Sequence, residues 1–285
     1  MAKHVLVIAD IDDDDILSLE KARDVTLSMQ ITIEIIKFIQ PASDSVVSLD
    51  QQIIQAKKSL SSTIKSIFDP STDITSEVVI NDDMAEWVAN YCNHRSIDLV
   101  IKGGHRSESL FHTSSDWALI RQLRCPILIA SHAKWNSKAN ILLTLDLSTD
   151  EASHQQLNAL ILSWGETFSQ ATNNELHALY SIPIAKTLLE FDLVNKESIK
   201  QKKTPAAQQK MQQLLAKSDM GHVTGHITAG PPDRTIPREA NLLNSDLVII
   251  GSVGREGMSS ILSANTAKKV LQYLRTDCLI IKLSQ

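Results

Sequence analysis

The chain contains one short pattern twice, and this repeat constrains its fold more than any other feature. The pattern is DLVIKG at Asp98–Gly103 and DLVIIG at Asp246–Gly251. In both copies an aspartate precedes an unbroken apolar run, which is typical of a strand buried on both faces, and a glycine follows. The recurrence indicates that one folding unit has been duplicated.

Two further correspondences mark the ends of the repeated unit. An apolar run that ends in aspartate occurs at His4–Asp10 and again at Asn140–Asp146, and a Leu-Arg pair precedes the last apolar run of each half. A chain of 285 residues is long enough for two domains that each bury a core. We therefore predict domains at 1–133 and 138–285, joined by a polar connector that Trp135 fastens to one of them.

Apolar runs alternate with amphipathic segments along both halves, in the order β-α-β-α-β-α-β-α-β. This order predicts an α/β fold, an open parallel sheet with helices on both faces. The predicted strands are Val5–Ala9, Ile31–Ile39, Ser76–Ile80, Asp98–Lys102, Ile127–Ala130, Ile141–Leu145, Glu175–Ser181, Gly221–Thr228, Leu247–Ile250 and Leu279–Lys282. Ligands bind such sheets at the carboxyl ends of the strands, where the strand order reverses. If the first and fourth strands are neighbours, Asp10 and Asp146 each face the glycine loop of their own half.

The second half is expanded at Ala185–Leu215. Its Lys- and Gln-rich part predicts a longer or a broken helix with a solvated face. The apolar cluster Leu188–Val194 also fits a flap over a pocket, and this second interpretation stays open.

A glycine-rich loop follows the fourth strand of the second half, with Gly251 and Gly254 at its start. A strand, a glycine loop and a helix N-terminus together can present backbone N–H groups to an anion. The spacing matches neither the Walker A motif nor the dinucleotide-binding fingerprint, so on its own this loop predicts a tight turn. In the first half Arg106 occupies the place of Gly254, and its side chain narrows the backbone choices and fills space.

Composition and charge argue against several classes of protein. The net charge of −5 does not favour binding to nucleic acid or to an anionic membrane surface. Cys92, Cys125 and Cys278 form no CxxC pair, so we predict buried thiols in a reducing compartment rather than disulfides or a zinc site. The apolar stretch near the N-terminus is too short for a signal peptide and no run approaches a membrane span, so a cytoplasmic protein is expected.

Neither a catalytic set nor a metal site is recognisable from residue types and spacing. The acidic run Asp12–Asp15 fits a helix start better than a divalent metal, because consecutive carboxylates on a loop cannot all converge on one ion. His222 and His226 are predicted on one face of a strand, but two ligands without a third are weak evidence for a metal. We therefore predict no catalytic and no metal-binding residues.

The repeat and the glycine loop together resemble the universal stress proteins, in the form that carries two domains in tandem. The resemblance spans essentially the whole chain and is clearest from each DLVI pattern to the last strand of its half. Members of that family that bind ATP carry the motif Gly-x2-Gly-x9-Gly-(Ser/Thr). The second half matches the first two glycines with Gly251 and Gly254, whereas Ala264 replaces the third glycine and Asn265 replaces the Ser/Thr.

The resemblance implies an adenine nucleotide alpha hydrolase-like fold in each half. It implies that the two halves pack as a pseudo-twofold pair through Ile127–Ala130 and Leu279–Lys282. It also implies that Asp146 is a nucleotide contact, and Asn265 and Thr266 can still donate hydrogen bonds to a phosphate. The first half keeps a single glycine of the motif, so the resemblance does not favour a nucleotide there.

The expected function is that of a non-catalytic stress-response protein with a crevice for a small ligand. The candidate nucleotide contacts are Asp146, Gly251, Gly254, Asn265 and Thr266, all in the second half. Two alternatives stay open, namely a binder of an apolar or lipid-like ligand and a slow ATPase that uses the same loop without a Walker lysine. The sequence also leaves open whether ATP binds at all and whether chains associate further.

Overall fold

The structure is a computed structural model of the full chain. It describes residues 4–9, 15–26, 31–39, 48–104, 115–131, 135, 139–185, 187–188, 191, 194–252 and 264–283. Contacts divide the chain into two compact units, Met1–His132 and Ala133–Gln285, and each unit contains an open, parallel α/β sheet. The predicted fold class is confirmed.

The first unit contains five strands and four helices among the residues that the structure describes. They are β1 (His4–Ala9), α1 (Asp15–Thr26), β2 (Thr32–Ile39), α2 (Leu49–Ile67), β3 (Ile74–Ile80), α3 (Met84–His94), β4 (Leu99–Gly103), α4 (Ser115–Gln122) and β5 (Ile127–Ala130). The strand order within this unit is β3-β2-β1-β4-β5, with all pairs parallel.

The second unit repeats this arrangement. Its described elements are β6 (Asn140–Thr144), α5 (Ala152–Thr172), β7 (Glu175–Ile182), α6 (Lys196–Lys217), β8 (Thr224–Ala229), α7 (Pro232–Leu242), β9 (Ser245–Ser252), α8 (Ala264–Tyr273) and β10 (Asp277–Lys282). The strand order is β10-β9-β6-β7-β8, again parallel throughout. In each unit the first and fourth strands are therefore neighbours, as the crevice requires.

The central strands of both units are buried on both faces. Every residue of β4 and of β9 is buried, and so are the residues of β1 after His4. Helices on the two faces of the sheet cover these strands, which explains why their sequences are apolar without alternation.

Helix α5 packs closely on the sheet at Gly165. A β-carbon there would lie 2.6 Å from Cδ2 and 2.9 Å from Cδ1 of Leu143, which is fully buried in β6. Real β-carbons do not approach other atoms so closely, so a larger residue at this position would require the Leu143 side chain or the helix to shift.

Two details differ from the sequence expectations or refine them, and a third expectation is not tested. Strand β8 begins only at Thr224, because residues 220–223 form a turn in which the Val223 amide donates to the Met220 carbonyl at 3.0 Å. The expanded segment contains one continuous helix, α6, although Pro205 lies inside it. Leu189 and Leu193 of the apolar cluster Leu188–Val194 fall outside the described residues, so the flap is not tested.

The connector residue Trp135 is held by the second unit. Its indole Nε1 donates to Asp277 Oδ2 at 2.6 Å, and its ring meets the edge of Phe168 at 6.2 Å between centroids. The expectation that all three cysteines are buried is wrong, because Cys278 is buried but Cys92 and Cys125 are partly exposed. None of the helices that the structure describes is long and apolar enough to cross a membrane.

We predict that Gly165→Ala lowers the free energy of unfolding by about 1–3 kcal/mol, because the added methyl group overpacks the contact with Leu143. Gly221→Ala is the matched control, because a β-carbon at Gly221 would meet no atom within 4 Å. Urea unfolding of the two variants measures the difference. Equal stability of both variants would contradict the packing role.

Candidate functional site

Asp146 lies just beyond the carboxyl end of β6, at the edge of the sheet where β6 and β9 are neighbours. The side chain of Asn158, which is buried in helix α5, holds the backbone of Asp146 from both sides. The Asp146 amide donates to Asn158 Oδ1 at 3.0 Å, and Asn158 Nδ2 donates to the Asp146 carbonyl at 2.8 Å. This clamp satisfies both backbone groups of Asp146 and fixes its position at the edge.

The carboxylate of Asp146 uses its two oxygens differently. Oδ1 accepts hydrogen bonds from the Ser148 amide at 2.9 Å and from Ser148 Oγ at 2.6 Å. No residue that the structure describes donates a hydrogen bond to Oδ2, which lies 3.7 Å from Nδ1 of His154. The side chain of Asp146 is 17% exposed, so Oδ2 keeps the capacity to accept a hydrogen bond from a ligand.

His154 is the second polar group of this site. It lies in the first turn of α5 and is only 2% exposed, and its Nδ1 has no hydrogen-bond partner among the described residues. A buried nitrogen without a partner is costly, so its position beside a carboxylate calls for a functional or structural reason. The negative charge of Asp146 also reaches Tyr180, where burial and then this charge raise the pKa to about 12.

Sequence reasoning missed both His154 and Asn158, although a signal was present. Both residues lie at helical spacing on the otherwise apolar buried face of α5, which also includes Ile161 and Phe168. Buried polar side chains on such a face need partners, and the nearest unassigned polar residue was Asp146, at the end of the preceding strand.

Gly251 lies inside strand β9 rather than in a loop. A β-carbon at Gly251 would lie 2.7 Å from Leu157 and 2.9 Å from Ile161 of helix α5. The close approach of α5 therefore already explains a glycine at this position, and a role for Gly251 as a ligand contact stays a prediction.

The structure describes the other predicted nucleotide contacts only in part. Gly254 lies outside the described residues. Asn265 and Thr266 lie in the first turn of α8, but their side chains also lie outside the description. Asp10, the counterpart of Asp146 in the first unit, lies outside it as well. Of the predicted set, Asp146 and Gly251 are thus brought to the ends of two neighbouring strands.

The first unit carries a buried ion pair near the carboxyl end of its fourth strand. Lys102 of β4 has a fully buried side chain whose Nζ lies 2.8 Å from Asp116 Oδ1, and it donates to the Gly103 carbonyl at 2.8 Å. Asp116 lies in the first turn of α4, where a carboxylate is favoured by the helix dipole. The first unit therefore places its own carboxylate at the helix start where an anionic ligand would otherwise have to bind.

The second unit lacks this ion pair. By the repeat, Ile250 stands in the place of Lys102 and Ala267 in the place of Asp116. The first turn of α8 contains no acidic residue. The two units thus differ at the very edge where the open parallel sheet offers a ligand crevice.

Two histidines form an unpredicted pair on neighbouring strands of the second unit. His177 Nδ1 of β7 lies 2.9 Å from His226 Nε2 of β8. His222, which was expected beside His226 on a strand, lies instead in the turn before β8. Within the described part of the chain, no group of three or more His, Cys, Asp or Glu residues could hold a metal ion.

Comparison with known families gives one match that covers most of the chain. The profile described as "Universal stress protein family" matches residues 1–131 and 140–282. Universal stress protein E of Escherichia coli K12 is 32% identical over 198 residues, which are 66% of this chain and 61% of that protein. The match thus spans about three fifths of this relative. The universal stress protein E homolog of Haemophilus influenzae is 26% identical over 86% of this chain and 81% of its own length.

Solved structures share the fold at low sequence identity. A functionally unknown protein from Pseudomonas aeruginosa PAO1 aligns over 99% of this chain and 93% of its own, with a TM-score of 0.75 and 22% identity. A universal stress protein from Archaeoglobus fulgidus aligns over 98% and 97%, with a TM-score of 0.64 and 13% identity. The cytoplasmic domain of a prokaryotic cation chloride cotransporter also aligns, over 98% and 95%, with a TM-score of 0.57 and 12% identity. Since this fold occurs both in a universal stress protein and in a domain of a cotransporter, the fold alone does not assign a ligand.

We predict that Asp116→Ala lowers the free energy of unfolding by about 3–5 kcal/mol, because it leaves the buried Lys102 ammonium without its carboxylate. The double variant Lys102→Ile/Asp116→Ala reproduces the residues of the second unit and should unfold at a higher urea concentration than the single variant. Equal urea midpoints for the two variants would contradict a buried charge pair.

We predict that the pair His177–His226 makes stability fall as the pH is lowered from 6.5. Burial lowers the pKa of both residues from 6.5, and the partner imidazole lowers that of His177 further, against the opposing charges of Glu175 and Glu239. Below pH 6.5 these two histidines therefore bind protons more readily in the unfolded chain than in the folded chain. The free energy of unfolding keeps its full value above pH 6.5 and falls as the pH drops below it.

Thermal unfolding between pH 5 and pH 7.5 measures this effect, and His177→Gln/His226→Gln should flatten the profile. His222→Gln is the matched control, because His222 is exposed in the turn before β8. A pH profile that is unchanged in the double variant would rule the pair out as its cause.

Proposed function

Because the chain belongs to the universal stress protein family, we propose that it is a non-catalytic stress-response protein that holds a small ligand at Asp146. The observation that supports this most directly is the state of the Asp146 carboxylate. It is held at the edge between β6 and β9, and its Oδ1 accepts hydrogen bonds from Ser148. Its Oδ2 accepts no hydrogen bond from the described residues and lies 3.7 Å from Nδ1 of His154. A ligand that donates an O–H or N–H group to Oδ2 would complete the site.

The ligand class that we favour is a nucleotide such as ATP. A nucleotide combines hydrogen-bond donors on its base and sugar with an anionic tail. The donors suit Asp146, and the tail suits a helix start such as that of α8, which carries no acidic residue in its first turn. Gly251, Gly254, Asn265 and Thr266 remain the proposed contacts on this side of the ligand.

The first unit is proposed to bind no nucleotide. At the corresponding edge of its sheet, the positive charge of Lys102 is already paired with the negative charge of Asp116. A nucleotide phosphate at the start of α4 would have to approach the Asp116 carboxylate, which like-charge repulsion opposes.

The alternative of an apolar ligand has one supporting feature. A groove of about 400 Å³ lies between helix α6 and strand β8, and its apolar floor includes Met211, Leu215 and Val223. Gln208 and Gln212 also line this groove, so its surface is mixed and favours no lipid chain in particular. Native mass spectrometry of the purified protein would reveal a retained lipid-like mass.

Several further features belong to the same proposal. We infer a cytoplasmic location, domain limits at 1–133 and 138–285, and pairing of the two domains through Ile127–Ala130 and Leu279–Lys282. The catalytic alternative, a slow ATPase, is distinguished by phosphate release that exceeds that of the Asp146→Asn variant.

We predict that Asp146→Asn weakens the binding of ATP with magnesium by at least about tenfold. The substitution removes the charged acceptor and puts an N–H group where a ligand donor would lie, which costs about 1.5–3 kcal/mol. Isothermal titration calorimetry of the full chain measures the change, with adenosine and inorganic triphosphate as separate probes for the two parts of the nucleotide.

Asp150→Asn is the matched control, because the Asp150 carboxylate is 81% exposed on the same connection and pairs with Lys210 on the surface. It should bind ATP as the unaltered chain does, whereas Gly254→Val should abolish binding. Absence of heat with all three probes would remove the nucleotide from the proposal. Equal affinity of the Asp146→Asn and Asp150→Asn variants would remove Asp146 from the site.

A further inference from the structure

His154 brings a buried ring nitrogen close to the carboxylate that the proposed function uses. Its side chain is 2% exposed, and Nδ1 has no hydrogen-bond partner among the described residues. Oδ2 of Asp146 lies 3.7 Å from this nitrogen, which is too far for a hydrogen bond. A buried polar atom without a partner lowers stability, so packing alone would favour an apolar side chain at this position.

Helix α5 carries both side chains that approach Asp146 from the buried side. His154 and Asn158 lie one helical turn apart on its buried face. Asn158 holds the backbone of Asp146 through hydrogen bonds with its amide and its carbonyl. The backbone of Asp146 is therefore fixed relative to the helix that carries His154, and rotation of the two side chains is enough to change the 3.7 Å distance.

The acceptor capacity of the Asp146 carboxylate limits what can bind there. A carboxylate offers about four acceptor positions, two on each oxygen. The Ser148 amide and hydroxyl take the two positions on Oδ1, at 2.9 Å and 2.6 Å. Oδ2 accepts no hydrogen bond from the described residues, and Nδ1 of His154 is within about 1 Å of hydrogen-bonding distance from it.

We propose that His154 is a positioning residue of the ligand site. When a ligand donates to Asp146 Oδ2, the Nδ1–H group of His154 closes on the same oxygen and fixes the direction of the carboxylate. The four acceptor positions are then filled by two groups of Ser148, one of His154 and one of the ligand. This inference rests on the proposed function, because it concerns the same carboxylate.

The carboxylate also determines which ring nitrogen of His154 carries the hydrogen. A lone pair on Nδ1 would face the negative charge of Oδ2, so the tautomer with hydrogen on Nδ1 is favoured. The donor is therefore in place before the ligand binds, and a short movement completes the hydrogen bond.

This arrangement restricts the kind of ligand group that Asp146 accepts. A single position on Oδ2 is left, so the site takes one O–H or N–H donor. A guanidinium group, which pairs with both oxygens of a carboxylate, would have to displace Ser148 from Oδ1. A nucleotide meets the requirement, because one sugar hydroxyl or the base amine can supply the donor.

The test titrates the full chain with ATP, 2′-deoxy-ATP, 3′-deoxy-ATP and ITP, each with magnesium, by isothermal titration calorimetry. The three analogues remove the two sugar hydroxyls and the base amine in turn. For the unaltered chain, one analogue should bind at least about tenfold more weakly than ATP, because it lacks the donor to Oδ2.

The same titrations of His154→Leu and His154→Asn measure the positioning role. His154→Leu should weaken ATP binding by about tenfold and should reduce the preference for ATP over that analogue to less than about threefold. His154→Asn should bind ATP within about threefold of the unaltered chain, because its side-chain amide places an N–H donor near the position of Nδ1.

Unchanged ATP binding by His154→Leu would overturn the positioning role. Equal weakening of all four nucleotides would overturn it too, because a merely structural role of His154 would not alter the preference among them. Gln155→Leu is the matched control, since Gln155 is exposed in the same turn of α5, and it should bind ATP as the unaltered chain does.

His154→Met serves as the second apolar variant if the leucine variant does not fold, and circular dichroism verifies the fold of each. Absence of ATP binding by the unaltered chain is a different outcome, because it would remove the nucleotide from the proposed function and this inference with it.

Discussion

The parallel pairing of the first and fourth strands is the constraint on which both units depend. In the first unit Leu6 of β1 lies beside Val100 of β4, and in the second unit Leu142 of β6 lies beside Val248 of β9. These strands are buried on both faces, so their register is set by core packing. The strand order reverses between these two strands, and open parallel sheets bind ligands at the carboxyl ends of strands at such a point.

The two units fill this edge in different ways. In the first unit a buried ammonium and a helix-start carboxylate, Lys102 and Asp116, neutralise each other inside the protein. In the second unit the side chain of Asn158 holds Asp146 in place, and one carboxylate oxygen stays available. Duplication thus preserved the sheet while the charges at this edge diverged.

Contacts between residues far apart in the chain account for what the sequence did not predict. His177 of β7 meets His226 of β8, and Asn158 of α5 holds Asp146 just beyond the end of β6. Local patterns carry no information about such partners, because the side chains meet only after strands and helices have packed. The glycine at 251 shows the same limit, since its motif suggested a ligand loop but its neighbours are side chains of α5.

The sequence by itself determined the duplication, the order of strands and helices, the parallel sheets and the family resemblance. It could do so because apolar periodicity and repeated segments reflect local burial, which each stretch of chain records on its own. Only the tertiary structure decided that β8 begins at Thr224, that Oδ2 of Asp146 lies beside Nδ1 of His154, and that Lys102 pairs with Asp116. These outcomes depend on which side chains come within hydrogen-bonding distance after packing, and that distance is a property of the folded chain alone.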